Sequence, residues 1–369
     1  MLNSTDLFVI GGGPAGLAAA IAARQQGFRV VVADGAHTPI DKACGEGLMP
    51  DGLAALEKLG ISVDAASAYP FRGIRFLSSG LAVDASFPHG ASGMGVRRTV
   101  LHQLIADRAA SLGIDLWWHT PVTGISEDGV HLGNRKVSAR WIIGADGGSS
   151  RVRRWAGLDA FRKKDFRYAF RQHFRVAPWT NRMDLYWGLH GEIYVTPVSR
   201  DEVCVAFISR DPKLRLTEAL QKFPELKSRL HGADVSSAEK GALTATCKLK
   251  RVSRGNVALI GDASGTVDAI TGEGLCLAFS QAMVLADCLR AGDLARYEHE
   301  HRRLALRPLL MARLMLTLDG RPRLQRRTLQ VFQKRPDVFR RLLDLHMGVL
   351  SPLHLALDGL TLGWGLLTA

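Results

Sequence analysis

The chain has 369 residues, 47% hydrophobic and 22% charged, an ordinary balance for a folded protein with room for a large core. Its formal net charge is +13, yet no basic stretch is interleaved with base-stacking aromatics, so nucleic acid is not expected as a partner. The five cysteines, Cys44, Cys204, Cys247, Cys276 and Cys288, are scattered without a CxxC pair. That spacing suggests neither a disulfide framework nor a zinc site and fits a reducing cytoplasm.

The first apolar run, residues 7–10, has no basic stretch before it and feeds a glycine loop, so it reads as a core strand and not as a signal peptide. The loop is Gly11-Gly12-Gly13-Pro14-Ala15-Gly16. An alanine-rich helix is expected over 17–26 and a second strand over 28–33, closed by Asp34. This is a complete βαβ unit. Its glycines serve a tight turn, close approach of backbone to a pyrophosphate, and close packing of helix on strand. The helix N-terminus favours the phosphates, and Asp34 is placed to accept hydrogen bonds from a ribose while repelling a 2′-phosphate.

A helix follows over 99–112, then strands over 115–118, 130–132 and 137–143. The last strand delivers Gly144-Ala145-Asp146-Gly147-Gly148 at its end, where ligands of α/β sheets bind. After residue 160 the texture changes. Residues 166–176 alternate, with Arg171, His173 and Arg175 on one face and Phe170, Phe174 and Val176 on the other. The Arg–His face is expected to be solvated, with a substrate pocket as the alternative. Strands over 185–187, 191–198 and 202–209 continue an antiparallel sheet, and 214–230 reads as one helix. Residues 255–260 form a buried strand ending in Gly261-Asp262, Thr271-Gly272-Glu273-Gly274-Leu275 follows, and 274–290 is a long apolar helix.

From residue 294 the chain is helical and arginine-rich. A solvated basic face is the plain expectation, and peripheral contact with anionic lipid is the alternative. No apolar run reaches the roughly 20 residues of a membrane span. The tail 349–369 comes nearest, interrupted by Pro352, His354 and Asp358.

The three glycine-bearing segments, far apart and in this order, imply a single FAD held in one site. The fold class is α/β: a Rossmann-like FAD-binding domain of the glutathione reductase type, an antiparallel β-sheet substrate domain, and C-terminal helices. The domains are expected at 1–160 with 250–293, at 161–249, and at 294–369.

With these segments the chain resembles the FAD-dependent superfamily of aromatic hydroxylases (group A flavin monooxygenases), which also holds geranylgeranyl reductases and flavin halogenases. The resemblance assigns Gly11, Gly13, Pro14, Ala15, Gly16 and Asp34 to the ADP half of FAD. It places Arg98 beside the flavin and pyrophosphate, Val122 at the adenine, Asp146-Gly147 as the second nucleotide motif, and Asp262 at the ribityl or pyrophosphate. Gly272, Glu273, Gly274 and Leu275 would offer helix N–H groups to the flavin N1–C2=O edge. Lys42-Ala43-Cys44-Gly45-Glu46-Gly47-Leu48 with Asp268-Ala269-Ile270-Thr271-Gly272 is similar to geranylgeranyl reductases, although these commonly have proline where Ala269 stands. Gly45 and Gly47 suit close approach to a ligand, so Cys44 is a candidate proton donor or gating thiol beside the flavin, with a buried packing residue as the alternative, and Glu46 is a candidate acid or base, with a helix-start carboxylate as the alternative.

Residues 71–76 resemble the halogenase segment that carries a catalytic lysine, but Arg72 holds that place, and a guanidinium is a poor amine nucleophile. Arg72, His173, Trp187 and Tyr194 are the candidate substrate-pocket residues. The resemblance implies a monooxygenase acting on a lipophilic aromatic or polyketide-type molecule through a flavin C4a-hydroperoxide, with NAD(P)H as transient donor. The alternatives are a geranylgeranyl reductase-like enzyme reducing C=C bonds and a flavin-binding protein without turnover. The small lipophilic substrate and a cytoplasmic, or membrane-associated, location complete these expectations.

Overall fold

A computed structural model describes residues 3–350. The apolar tail at 355–367, where the alternative of lipid contact would fall, lies outside the described residues.

Five short apolar runs build a parallel sheet in the order Val257–Leu259, Arg135–Gly144, Ser4–Ile10, Val30–Ala33 and Asp115–Trp117. Leu7, Phe8, Val9, Val31, Ile142, Ile143 and Leu259 are essentially inaccessible. Such unbroken apolar strands suit a sheet covered on both faces. Helix Pro14–Gln25 starts with proline at its first turn, where the missing N–H costs nothing, and lies against helix Gly274–Ala291. Gly274–Ala291 is long and apolar enough to cross a membrane by length and composition. In the fold it is a core helix, with Phe279, Ala282 and Leu289 buried.

The second sheet runs Asp234–Val235, Phe161–Arg175, Val203–Ser209, Gly191–Pro197, Met183–Gly188, Gly73–Ser78 and Leu81–Ser86, with Lys240–Leu249 also paired to Phe161–Arg175. The hairpin Gly73–Ser86 was expected within the first domain. It joins the second sheet because Gly73–Ser78 pairs in parallel with Met183–Gly188, placing Ile74 opposite Met183 and Phe76 opposite Leu185. A long-range parallel pairing leaves no local sequence signal. The single helix expected over 214–230 is two, Leu216–Leu220 and Pro224–Arg229, divided where Pro224 starts a new turn.

Three C-terminal helices, Leu294–Leu318, Pro322–Lys334 and Pro336–His346, cover one face of this sheet. Their apolar sides bury Leu329, Phe332, Phe339 and Leu343, while Arg323, Arg326, Arg340 and Arg341 are exposed. Phe332 and Phe339 stack with centroids 4.9 Å apart, and Phe76 meets Phe339 edge-on at 5.4 Å. Burying each such ring contributes about 1.5–3 kcal/mol, so helices with strongly charged outer faces are still held to the sheet.

Candidate active site

The first two glycine-bearing segments and the start of the third sit at the C-terminal edge of the parallel sheet. Gly11 follows Ser4–Ile10, Asp34 follows Val30–Ala33, Ala145 follows Arg135–Gly144, and Gly261 lies just past Val257–Leu259. Parallel strands put all their carboxyl ends on one side, so topology alone gathers four distant segments into one crevice.

The glycines divide into two kinds. At Gly11 (φ +111°) a Cβ would stand 2.4 Å from the Ala145 carbonyl oxygen, and at Gly16 it would stand 1.9 Å from the Gly11 oxygen. Those two are required by the fold itself. A Cβ at Gly13, Gly45, Gly147, Gly272 or Gly274 meets nothing within 4 Å. These five open onto space, and a flat, phosphate-bearing molecule can approach their backbone closely.

Asp34 reaches back over the first loop. Its Oδ2 accepts from the Gly12 N–H at 2.7 Å and its Oδ1 from the Ala36 N–H at 2.8 Å. Pro14 and Ala15 form the first turn of the helix behind this loop, and Val122 is buried nearby in sequence to the strand end at Asp115–Trp117. Asp146 Oδ2 accepts from the N–H groups of Arg151 and Val152, while its Oδ1 is buried without a partner. Asp262 pairs with Lys42 at 3.0 Å, both about half exposed, tying the third segment to the Cys44 loop. Arg98 begins helix Arg98–Ser111. It is 9% exposed, and its Nε has no partner. A buried guanidinium N–H facing no acceptor is costly unless an anion completes it.

The Cys44 loop carries its own polar cluster. Glu46 is 3% exposed and sits at φ +59°, an unusual backbone state for a residue with a Cβ. It is held by three groups: the Arg98 N–H donates to Oε1 at 3.0 Å, His173 Nε2 lies 2.7 Å from Oε2, and Arg171 Nε lies 3.8 Å from Oε1. The other His173 nitrogen is 2.7 Å from Ser237 Oγ, and Arg171 is also paired with Asp41. Cys44 is half-buried at the edge of this cluster, its sulfur accepting from the Glu46 N–H. Cys204 lies beneath, and burial pushes its thiol well above the ordinary range. Glu46, His173 and Cys204 converge closely enough to suit a metal, but both imidazole nitrogens already have partners.

The expected solvated face therefore holds only for Arg175. Arg171 and His173 are 2% and 1% exposed because the Cys44 loop packs over them. His173 does not line the apolar cavity described below. Nor does Arg72, which is exposed on the rim of the second sheet.

That cavity lies between the second sheet, the C-terminal helices and the turn Ala269–Thr271, and encloses about 910 Å³ of empty space, counting the part open to solvent. Trp187 and Tyr194, both named from the sequence, are in its wall together with Met49, Phe76, Leu318 and Phe339. The Tyr194 hydroxyl is bonded to the Ile270 carbonyl and to Glu192 Oε1 at 3.0 Å. Complete burial pushes Glu192 up to about 8 and Tyr194 well above its usual range. Met49, two residues after Gly47, links the Cys44 loop to the cavity, and Thr271 links it to Gly272.

Glu273 does not turn toward the open glycines. Its side chain is 4% exposed and faces Arg307, 3.8 Å away, and His346, 3.5 Å away. Leu275 is half-buried in the first turn of the core helix. His102 was not anticipated. It is fully buried on the inward face of helix Arg98–Ser111, with Nε2 at 2.8 Å from the Gly12 carbonyl, and burial, aided by the Arg98 charge, depresses its pKa. Its signal was the four-residue spacing from Arg98. Trp118 was likewise missed. Its ring lies so close to Gly12 that a Cβ there would be 2.4 Å away.

These features define a nucleotide-binding α/β fold of the flavoprotein type, with a mostly apolar chamber beside the nucleotide crevice. Residues 4–303 match the family described as FAD binding domain, and the chain belongs to that family. It is a FAD-dependent oxidoreductase. It is 28% identical over 324 residues to menaquinone reductase of Mycolicibacterium smegmatis, covering 80% of this chain and 79% of the relative. It is 29% identical over 342 residues to digeranylgeranylglycerophospholipid reductase of Methanocella arvoryzae, covering 82% and 84%. The fold is similar to that of a flavoprotein/dehydrogenase from Cytophaga hutchinsonii at 21% identity and a TM-score of 0.80, covering 94% and 93% of the two chains.

The residues fit FAD on structural grounds: the open Gly13 and Gly147 and the unpartnered Asp146 Oδ1 lie past the ends of the parallel strands, and the helix that begins with the unpartnered Arg98 is tied to the same loop by His102 and Gly12.

Proposed function

We propose that the protein reduces a C=C bond in a lipophilic molecule, of prenylated-ring or isoprenoid type, drawing electrons from NAD(P)H through FAD. The observation that carries this reading is the apolar chamber, walled by Met49 and Thr271 on the side that leads to the cofactor segments. A wall this apolar, with few polar groups, suits an apolar ligand. Two relatives spanning most of the chain are named as reductases of a quinone and of a prenylated lipid, which supports reduction over the oxygen transfer that the wider superfamily suggests. The similarity of the Cys44 loop to geranylgeranyl reductases supports it further.

FAD, when bound and reduced by NAD(P)H, would supply hydride to one carbon of the double bond. The chain's own residues do the rest. Gly11, Gly13, Gly16, Asp34 and Asp146 hold the nucleotide half, and Arg98 offers a buried cation to its phosphates or ring. The Cys44 thiol is the proton source for the second carbon, held in place because its sulfur accepts from the Glu46 N–H. Glu46, fixed by His173 and Arg171, sets the loop in its strained conformation. The apolar wall of the chamber surrounds the reacting bond with few polar groups, which limits water there and suppresses competing loss of electrons. The exposed arginines of the C-terminal helices, around the same chamber, favour peripheral contact with anionic membranes, from which such substrates are drawn.

The test is anaerobic: FAD-loaded protein, NADPH or NADH, and a set of prenylated quinones and isoprenoid lipids, with product masses recorded. A gain of two hydrogens is expected. Product only on admission of O₂, with a gain of one oxygen, establishes the monooxygenase instead.

A further inference from the structure

The chamber is apolar but has one polar pole. Its hydroxyls are already spent: Thr271, Thr317 and Thr328 donate to the carbonyls of Asp268, Arg313 and Leu324, and Tyr194 is bonded to Ile270 and Glu192. His346 is different. It ends helix Pro336–His346, lines the chamber at 7% exposure, and its Nδ1 is buried without a hydrogen-bond partner. Behind it stands Glu273, with both carboxyl oxygens buried and unpartnered. The distance from His346 Nδ1 to Glu273 Oε2 is 3.5 Å. Arg307 stands 3.8 Å from Glu273, too far for a hydrogen bond, because its guanidinium is drawn to Asp51 at 3.1 Å.

His346 Nδ1 and Glu273, neither with another hydrogen-bond partner, face each other, so the ring edge turned away from Glu273 is the part of His346 left to meet a ligand in the chamber. We propose that His346, oriented by Glu273, is the group that binds a carbonyl oxygen of the lipophilic ligand, so that the ligand is apolar along its length and carries an acceptor oxygen at one end. This rests on the reading of the chamber as the substrate site.

The direction of the bond follows from the two environments. Burial pushes Glu273 up to about 8 and His346 down to about 4, the latter against the opposing pull of Asp51. At neutral pH the carboxyl keeps its proton and the ring is neutral. With the carboxyl protonated, Nδ1 is the ring atom placed to accept from it, which leaves the ring hydrogen for Nε2, across the ring from Glu273. A ring N–H in an apolar wall recognises an acceptor oxygen and discriminates against a hydrocarbon of equal shape, because the donor would then stay unpaired. Thr271, in the same wall, precedes the open Gly272, so an oxygen held here sets how deeply the ligand reaches toward the cofactor segments.

The experiment compares two flat probes in the oxidised, FAD-loaded protein by calorimetry: 2,3-dimethyl-1,4-naphthoquinone, blocked against thiol addition, and 2,3-dimethylnaphthalene. His346→Phe is expected to weaken the quinone by about three- to tenfold, the value of one hydrogen bond, and to leave the hydrocarbon unchanged. The retained hydrocarbon affinity shows that the chamber is intact. His346→Gln, which restores a donor, is expected to recover part of the loss. Glu273→Leu, which removes what fixes the ring hydrogen, weakens the quinone in the same direction by a smaller factor and decides the matter if the Phe variant does not fold. Quinone affinity unchanged in these variants overturns the inference while leaving the chamber as a binding site. Failure of both probes to bind the unmodified protein overturns the chamber reading as well.

Discussion

The nucleotide crevice and the apolar chamber are neighbours built on opposite principles. The crevice is made of backbone: glycines, strand ends and helix starts whose positions follow from a parallel sheet. The chamber is made of side chains from a sheet and three helices that are distant in sequence. The first can hold one ligand type and is written in short local motifs. The second is a volume left between packed elements, and its selectivity depends on which few polar groups remain unpaired in its wall.

Variants that separate the two regions sharpen the contrast. Within the crevice, Gly16→Ala forces a Cβ onto the Gly11 carbonyl and is expected to destabilise the protein by about 3 kcal/mol or more, since backbone cannot yield as side chains do. Gly13→Ala has room in the protein itself. It is expected to keep the thermal midpoint of the FAD-free protein while losing FAD affinity. Calorimetric melts with FAD titrations read both, and equal behaviour of the two variants breaks the division of the glycines into structural and ligand-facing kinds.

Arg98→Gln is next in size. Losing a charge-assisted hydrogen bond costs about 1.5–3 kcal/mol, a fall in FAD affinity of roughly 10- to 100-fold, measured by fluorescence titration. Unchanged affinity would mean that the buried guanidinium serves the Cys44 loop alone.

A smaller effect concerns pH. Burial raises Glu192 and Glu273 to about 8. Between the ordinary carboxylate range and about 8 the unfolded chain has released these protons and the folded chain keeps them, so stability falls as pH rises through that window. Glu192→Gln is expected to flatten the decline in thermal midpoint from acidic to mildly alkaline pH. A slope identical to that of the unmodified protein contradicts a protonated Glu192 behind Tyr194.

The smallest effect concerns the outer face of the helices. Charge reversal at Arg323 and Arg326, both exposed, is expected to weaken binding to phosphatidylserine vesicles by about 1 kcal/mol per charge, with no change in FAD content. Vesicle sedimentation reads the difference, and equal sedimentation removes the membrane from the account.

The two regions also differed in what could be read beforehand. Gly11 to Gly16, Asp34, Asp146 and Asp262 announce themselves because a nucleotide demands backbone approach at fixed spacings after strands. Arg98 came from a resemblance, and its buried, unpartnered state needed the fold. The hairpin Gly73–Ser86, the burial of His173 and the turn of Glu273 toward His346 were not legible. Each depends on a contact across more than seventy residues of chain, and alternation along a strand says which residues share a face but not what covers it. Trp187 and Tyr194 were found by position in the sheet. His346 carried no local signal, being one histidine at the end of a leucine-rich helix.

The most direct test of the central claim is the anaerobic reoxidation rate of reduced, FAD-loaded protein by a prenylated acceptor, compared with that of Leu314→Trp, which fills the chamber from helix Leu294–Leu318. The account predicts fast reoxidation in the unmodified protein and reoxidation slowed by an order of magnitude or more in the filled variant, with equal FAD content. Equal rates in both would show that electrons leave the cofactor without passing a substrate in the chamber, and would contradict the account.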